Sequence, residues 1–497
     1  MNFLDRPSWQ LAILSGILVG ISYLPLKLGF CIYFGFIPIF HSWINNSSKS
    51  NFISGLIFGI TYNLISNYWI GTNSGAEFYV VILSLIFAVL YLSLFWAFSG
   101  LLYGLVKTSR NSLLILPFLI VVLEWIRSFG PLGFTWGNLA LTQSEYPMML
   151  QFLDYTGTYF ITFIIIVLNL IFYLFRKGNK ILKANISIII CVLIIIPLYG
   201  FFRMENISPT GKGIDIAIIQ PNIDPNKKWD YKQRNQTISL MDSLYEKAIS
   251  MNPDLIIFPE TALPSYLRIE NRIRNKLQQK VNQSGIPIII GTVDRHLDSD
   301  DTKLYFNSTM YLSPQAEYRM YDKIHLVPFA EYDLIPSFLS PLAGLNLNMN
   351  RGVFKKGNEY VSFKLNDLVF SDLICYESSF PRYARKFVKN GADFLVIQAN
   401  DGWLGTSAGP FQHFAQAKLR AIENRTSVVR GGNTGISGFI LPSGEVINKT
   451  QLGKQIIIKE KLPIYNSGTF YTFYGDVFAV ISFLIFLFIG PINCLNK

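Results

Sequence analysis

The sequence predicts a membrane protein with two parts: a polytopic α-helical domain of eight transmembrane helices, and an α/β domain inserted before the last helix. Of its 497 residues, 51% are hydrophobic and only 15% are charged, whereas soluble domains average about 25% charged residues. Long apolar segments occupy the first 205 residues, and one more lies near the C-terminus. Between them, short apolar runs alternate with amphipathic segments, which is typical of an α/β sheet domain.

The apolar segments set the predicted domain boundaries, because a spanning helix needs about 20 mostly apolar residues. The first segment lacks a small-residue cleavage site, so we expect a retained helix and not a signal peptide. We predict helices 1–7 within 1–205, an extracytoplasmic domain at 206–467, and helix 8 with a C-terminal tail at 468–497. The eight candidate segments lie at roughly 9–26, 29–45, 52–70, 78–106, 112–127, 156–175, 184–203 and 471–490.

Loop charges predict the orientation. With the N-terminus in the cytoplasm, the inner segments hold nine Lys and Arg residues and the short outer loops hold two, which is a strong positive-inside bias. The nine are Arg6, Lys49, Lys107, Arg110, Arg176, Lys177, Lys180, Lys183 and Lys497, and the two are Lys27 and Arg127. The net charge of +11 then reflects basic loops facing anionic lipid, and we expect no nucleic-acid partner.

Four cysteines are scattered along the chain, with no disulfide framework and no zinc spacing. Three of them, Cys31, Cys191 and Cys494, lie in or beside apolar segments. We therefore expect neither a metal nor a cofactor, and Cys375 stands apart from the others.

The α/β domain is predicted from apolar runs separated by amphipathic segments. Predicted strands are Ile214–Ile219, Leu255–Phe258, Pro287–Ile290, Leu304–Leu312, Leu368–Ile374, Phe394–Ile397 and Ser437–Leu441. Predicted helices lie near 230–250, 271–284, 379–390 and 411–425.

Three residues at strand-to-loop junctions could carry covalent acyl transfer. Cys375 follows a buried strand, Glu260 ends another, and Lys323 lies between them in sequence. A thiol at such a turn is a nucleophile if a base and a cation stand near it. Taken singly, the thiol could be a buried core cysteine, Glu260 a helix-capping acid and Lys323 a solvated charge. The ordered set of base, cation and thiol favours catalysis.

The Glu-Lys-Cys order resembles the nitrilase, or carbon–nitrogen hydrolase, superfamily. The stretches Asn400–His413 and Arg420–Gly435 strengthen this likeness, and the flanking apolar segments narrow it to the bacterial apolipoprotein N-acyltransferases. The resemblance implies an α-β-β-α sandwich in the bacterial inner membrane, with its catalytic domain on the periplasmic side. It implies a monomer that moves an acyl chain from a membrane phospholipid, through a cysteine thioester, to a diacylated apolipoprotein.

The same resemblance marks four supporting residues, Trp229, Glu331, Tyr376 and Glu377. Trp229 would contact an acyl chain or headgroup, or else simply anchor the surface. Glu331 would orient Lys323 or Glu260, while Tyr376 and Glu377 would shape the acceptor pocket. Alanine at position 330, where the resemblance leads us to expect glycine, is a departure that bears on the local backbone.

Three other features of the sequence allow more than one interpretation. Residues 334–350 are apolar and broken by Pro and Gly, so we interpret them as a lid, with a core-packed loop as the alternative. Glu124 and Arg127 precede a Gly/Pro-rich break, which suggests either a path for lipid chains or an ordinary interfacial belt. His325 and His413 offer a Cys-His dyad, disfavoured because neither has an evident orienting carboxylate. The rival functions are a membrane-tethered amidohydrolase and a transporter or scaffold with a degenerate domain.

Overall fold

A computed structural model describes residues 3–107, 113–176, 194–297, 300–332 and 354–495 of the chain. The chain divides into two compact units. Unit 1 comprises Met1–Thr72, Val81–Ile207 and Thr469–Lys497, and unit 2 comprises Asn73–Val80 and Ser208–Gly468. The predicted lid at 334–350 and residues 184–193 of the predicted seventh span lie outside the described residues.

Unit 1 is helical. Its helices are α1 (Ser8–Ile21), α2 (Ile32–Gly35), α3 (Ile37–Asn45), α4 (Ser48–Asn67), α5 (Phe78–Val106), α6 (Ile115–Ile126), α7 (Leu153–Thr156), α8 (Tyr159–Arg176), α9 (Ile196–Glu205), α14 (Phe470–Tyr474) and α15 (Val477–Leu495). Within the described ranges, α5 and α8 are long and apolar enough to span a membrane, while α1, α6 and the first part of α15 are apolar but shorter. The segment predicted at 29–45 is divided between α2 and α3, where Pro38 stands at the start of α3.

Glu124 and Arg127 are buried, 6% and 3% exposed. Arg127 Nη2 lies 3.5 Å from Glu124 Oε1. Glu124 accepts hydrogen bonds from the backbone N–H of Leu139 at 2.8 Å and from the Thr162 hydroxyl at 2.5 Å. Arg127 donates to Asn138. These contacts connect the chain after the Gly/Pro-rich break to α6 and α8. The ion pair therefore contributes to the packing within unit 1.

Unit 2 is built on two six-stranded sheets. The first has the order β12-β1-β2-β3-β4-β5 and the second β11-β10-β9-β8-β7-β6. The three strands β1, β2 and β3 pair in parallel, as do β7, β8 and β9. The strands are β1 (Pro209–Gln220), β2 (Leu255–Ile257), β3 (Ile288–Leu297), β4 (Lys303–Leu312), β5 (Arg319–Asp322), β6 (Ser362–Leu365), β7 (Leu368–Ile374), β8 (Phe394–Ala399), β9 (Ser427–Gly432), β10 (Gly438–Ile440), β11 (Val446–Lys449) and β12 (Ile456–Tyr465).

Helices cover the outer faces of both sheets. Helices α10 (Tyr231–Ser250) and α11 (Asn271–Ser284) bury apolar side chains against β2, β3 and β4, and α12 (Pro381–Lys389) and α13 (Gly409–Asn424) pack on β7, β8 and β9. Each fully buried Leu, Ile or Met contributes about 1.5–3 kcal/mol relative to exposure. The inner faces meet closely, since a Cβ on Gly431 of β9 would lie 3.1 Å from the Ile257 side chain of β2. The predicted α-β-β-α sandwich is confirmed.

Candidate active site

The structure brings the three predicted residues together from both sheets. Glu260 follows β2, Lys323 follows β5, and Cys375 follows β7. Lys323 Nζ lies 3.7 Å from Glu260 Oε1, and both charges act on the Cys375 thiol. The acid, the cation and the sulfur therefore form one cluster at the strand ends.

Two of the turns that present these side chains use left-handed backbone. Cys375 has φ +52° and Thr261, next to Glu260, has φ +44°. Non-glycine residues adopt this region at a cost of about 1–3 kcal/mol, and such residues concentrate at functional sites. The Glu260 turn also lies against Gly291 of β3, where a Cβ would come within 2.6 Å of the Glu260 Cα. Glycine at 291 is what permits that approach.

Lys323 has a second carboxylate partner, Glu331, and the side-chain amide of Asn307 contacts both carboxylates. Lys323 Nζ lies 2.9 Å from Glu331 Oε1, so the structure does place Glu331 beside Lys323. Asn307 Nδ2 donates to Glu260 Oε1 and to Glu331 Oε1, each at 2.8 Å, and the Asn307 carbonyl accepts from the Lys323 backbone N–H at 2.9 Å. Asn307 was not among the predicted site residues. Its position on the predicted strand Leu304–Leu312, where alternate side chains face the interior, was a usable signal.

Electrostatics favour a protonated thiol at rest. Burial raises the pKa of Cys375 well above its usual value, and Glu260 raises it further. Lys323 and the backbone N–H of Asn400 lower that pKa only in part. Burial also lowers the pKa of Lys323, but the negative charges of Glu331 and Glu260 outweigh burial and raise it overall. Lys323 is therefore a fixed cation, and the thiol needs a base.

Glu377 is fully buried in the described part of the structure. It is 0% exposed and accepts from the backbone N–H groups of Ile324 at 2.6 Å, His325 at 3.0 Å and Ile374 at 2.8 Å, and from the Tyr321 hydroxyl at 2.9 Å. Burial raises its pKa to about 7, against the effect of these hydrogen bonds. In the described part of the structure, Glu377 thus connects the chain after Lys323 to the chain before Cys375. Its role in the acceptor pocket stays a prediction.

Tyr376 and Trp229 differ in setting. Tyr376 is 9% exposed and its ring packs edge-on against Phe380, with centroids 5.1 Å apart. Trp229 is 43% exposed and lies 6.5 Å, centroid to centroid, from Tyr266. Only Trp229 of this pair offers a large accessible apolar surface.

The two histidines are both engaged elsewhere. His325 Nδ1 lies 3.1 Å from the Tyr383 hydroxyl, and burial, with the nearby cations Arg382 and Lys356, lowers its pKa to about 3. His413 Nδ1 lies 2.7 Å from Asp401 Oδ1, so the expectation that neither histidine has an orienting carboxylate is wrong for His413.

The Asp401–His413 pair supports the Cys375 turn. His413 Nε2 lies 3.0 Å from the backbone carbonyl of Cys375 and 3.0 Å from Ser378 Oγ. Burial raises the pKa of Asp401, but Arg430 and His413 outweigh it and hold that pKa below its usual range. Both ring nitrogens of His413 are therefore committed to these contacts, which does not suit it to act as a base toward the thiol.

Within the described ranges, one group of side chains has metal-ligand character. Ligand atoms of Asp294, His296 and Asp322 all lie within 4.8 Å of one another. The guanidinium of Arg268 already lies 2.7 Å from Asp294 Oδ2, and it supplies the positive charge that an ion would otherwise bring. The group lies on the helix-covered side of its sheet, opposite Asn307, and does not join the cysteine site.

The two sheets and the cysteine cluster define a carbon–nitrogen hydrolase domain. Residues 215–461 match the carbon-nitrogen hydrolase family, and residues 15–171 match the apolipoprotein N-acyltransferase N-terminal domain. The helical part and the α/β part of the chain thus each match a known family.

Similar whole proteins support the same assignment. The chain is 30% identical to an apolipoprotein N-acyltransferase of Geobacter metallireducens, over 96% of this chain and 93% of that protein. It is 29% identical to that of Chlorobaculum tepidum, over 96% and 94%, and 30% identical to that of Aquifex aeolicus, over 90% and 96%. The chain belongs to the apolipoprotein N-acyltransferase family, and it is an acyltransferase.

Proposed function

We propose that this protein transfers a fatty acyl chain from a membrane phospholipid to the α-amino group of the diacylglyceryl-cysteine at the N-terminus of apolipoproteins. The transfer passes through a thioester on Cys375. The observation that carries this proposal is the buried pair of Glu260 and Lys323, which acts on a cysteine at a left-handed turn. Such a site supplies a base, a fixed cation and a nucleophile for acyl transfer.

In the first half-reaction, Glu260 takes the proton of the Cys375 thiol as the sulfur attacks the ester carbonyl of the phospholipid. Lys323 and the backbone N–H of Tyr376 stabilise the oxyanion, and losing one such donor typically costs roughly 10²–10³ in turnover. Glu260 then gives its proton to the leaving lysophospholipid oxygen. The acyl chain remains on sulfur.

In the second half-reaction, Glu260 accepts a proton from the acceptor amine as the nitrogen attacks the thioester. An α-amino group has a pKa near ~8, so its neutral form is accessible. Collapse of the tetrahedral intermediate breaks the C–S bond and regenerates the Cys375 thiol with a proton from Glu260. The kinetics are then ping-pong, because one nucleophile serves both substrates.

The setting we propose is the bacterial inner membrane, with eight transmembrane helices and a monomeric chain. Residues 1–205 carry helices 1–7, residues 206–467 form the catalytic domain on the periplasmic side, and residues 468–497 carry helix 8. The long apolar helices α5 and α8 support this setting, as does the charge bias of the loops. A half-exposed Trp229 suits contact with an acyl chain or headgroup.

The test separates a transferase from a hydrolase. Purified with phospholipid and no acceptor, the wild type should carry one fatty acyl group on Cys375, removable by hydroxylamine and detected by intact mass. A diacylated lipopeptide with a free N-terminus should discharge it and gain an N-acyl chain. Cys375→Ser and Glu260→Gln should accumulate no thioester. Steady release of free fatty acid that ignores the lipopeptide would establish the hydrolase instead.

A further inference from the structure

A buried polar group lies between the two sheets and takes no part in the chemistry proposed above. It consists of Thr309 on β4, Asp372 on β7 and Gln398 on β8, each 0% exposed. Thr309 Oγ1 lies 2.5 Å from Asp372 Oδ2 and 2.6 Å from Gln398 Oε1. Gln398 Nε2 lies 2.5 Å from the carbonyl oxygen of Phe258. The group spans both sheets two residues before Glu260 and three before Cys375.

Counting hydrogens in this group places a proton on Asp372. The Phe258 carbonyl can only accept, so Gln398 must present its NH₂ there and its oxygen to Thr309. The Thr309 hydroxyl has one hydrogen, which it must donate to that oxygen. The contact of 2.5 Å between Thr309 and Asp372 then contains a hydrogen only if Asp372 supplies it, since two bare oxygens at this distance repel.

The surroundings agree with this count. Within the described ranges, no Lys, Arg or His nitrogen is paired with the Asp372 carboxylate. The titratable groups that act on it are Glu377, after β7, and Tyr321, on β5. Burial raises the pKa of Asp372 well above its usual value, and the negative charge of Glu377 raises it further. Hydrogen bonds with Thr309 and with the backbone N–H groups of Leu373 and Gln398 lower this pKa only in part.

We propose that Asp372 is held as a neutral carboxylic acid and is the first donor in a hydrogen-bond chain that positions the two catalytic strand ends. The chain runs from Asp372 to Thr309, from Thr309 to Gln398, and from Gln398 to the Phe258 carbonyl. It joins the strand that ends at Cys375 to the strand that ends at Glu260, so Asp372 is a positioning residue. Its functional meaning rests on the catalytic roles proposed for Glu260 and Cys375, but its protonation does not.

Infrared spectroscopy tests the protonation directly on the full-length protein in detergent. The difference spectrum of the wild type minus Asp372→Asn at neutral pH should contain the carbonyl stretch of one protonated carboxylic acid, shifted in D₂O. Absence of that band overturns the proposal. Because this readout needs no turnover, it holds even if the thioester assay refutes the proposed function.

Activity tests the positioning. Asp372→Asn keeps a donor toward Thr309, so it should retain kcat within about twofold. Loss of one hydrogen bond of about 1–1.5 kcal/mol corresponds to a roughly tenfold change in rate. Asp372→Ala should therefore lower kcat about tenfold with KM unchanged. Thr309→Val keeps the side-chain volume but removes the hydroxyl that links Asp372 to Gln398, and it should also lower kcat about tenfold. It replaces Asp372→Ala in the test if that variant does not fold. Equal activity of Asp372→Asn and Asp372→Ala would overturn the positioning role.

The pH dependence of stability supplies a third readout with a defined sign. The folded protein keeps a proton on Asp372 that the unfolded chain releases above pH ~4. This contribution is fully present below that pH and is lost as the pH rises toward the folded-state pKa. Relative to Asp372→Asn, the folded-to-unfolded ratio of the wild type should fall by up to about tenfold per pH unit across this window. A flat or rising ratio would contradict the proposal.

Discussion

Replacing Glu377 with glutamine distinguishes a structural tie from a pocket residue. At pH 8, above its pKa of about 7, the carboxylate accepts from three backbone N–H groups and the Tyr321 hydroxyl. Glutamine keeps one acceptor and turns the other into a donor. If its oxygen faces Ile324 and His325, its NH₂ faces the N–H of Ile374, and that buried donor has no acceptor.

The expected loss of stability follows from that single unsatisfied N–H group. A buried N–H without a partner costs about 1–3 kcal/mol. At about 2 kcal/mol, and with about 2–4 °C of melting temperature per kcal/mol for a domain of this size, the apparent Tm of unit 2 should fall by about 4–8 °C. Since Ile374 directly precedes Cys375, kcat should fall as well while KM for the lipopeptide stays near the wild-type value.

Thermal unfolding in detergent and initial-rate kinetics measure both effects on the same preparation. Glu359→Gln is the matched control, because Glu359 is exposed and surface substitutions usually change stability by less than about 0.5 kcal/mol. An unchanged Tm with a raised KM would refute the reasoning and return Glu377 to the acceptor pocket.

Two other predictions concern the site and the topology. Asn307→Ala removes a donor from both Glu260 and Glu331, so kcat should fall about 10- to 100-fold with little change in Tm; an unaltered kcat would show that the acids need no shared donor. A reporter fused after Lys183 should face the cytoplasm, and one inserted near Asp300 should not; cytoplasmic labelling at the second position would overturn the orientation.

The sequence predicted most of the central strands and none of the four edge strands. The predicted Leu368–Ile374 coincides with β7, and the other central runs differ from the structure mainly in length. Of the five strands that were not predicted, β5, β6, β11 and β12 lie at sheet edges, whereas β9 is central and buried. Edge strands are half exposed and carry charges or proline, as β12 does with Lys459 and Pro463, so their apolar pattern is weak.

The candidate site divides in the same way. Glu260 and Cys375 could be predicted because each follows an apolar run that the sequence displays. Lys323 follows the weakly patterned edge strand β5 and was selected by its order between them. Asn307 was harder to select. Its place on a predicted strand shows that it can face the interior, but its importance depends on its contacts with Glu260 and Glu331, which are distant in sequence. The prediction that Glu377 shapes the acceptor pocket rests on its proximity to Cys375 in sequence, which does not show the direction of the side chain.

The hydrogen bonds around Cys375 bear on the nucleophilic role that we propose for this residue. Its carbonyl accepts from the Ser378 hydroxyl at 2.7 Å and lies 3.0 Å from His413 Nε2, and the N–H of Ile374 before it is held by Glu377 at 2.8 Å. Strain at a left-handed residue persists only where the surroundings over-determine it. Because every one of these partners is itself buried, we expect the turn to be fixed before substrate arrives, so that the acylation proposed for Cys375 needs no movement of the backbone. This rigidity is the form of preorganisation from which a covalent site gains most.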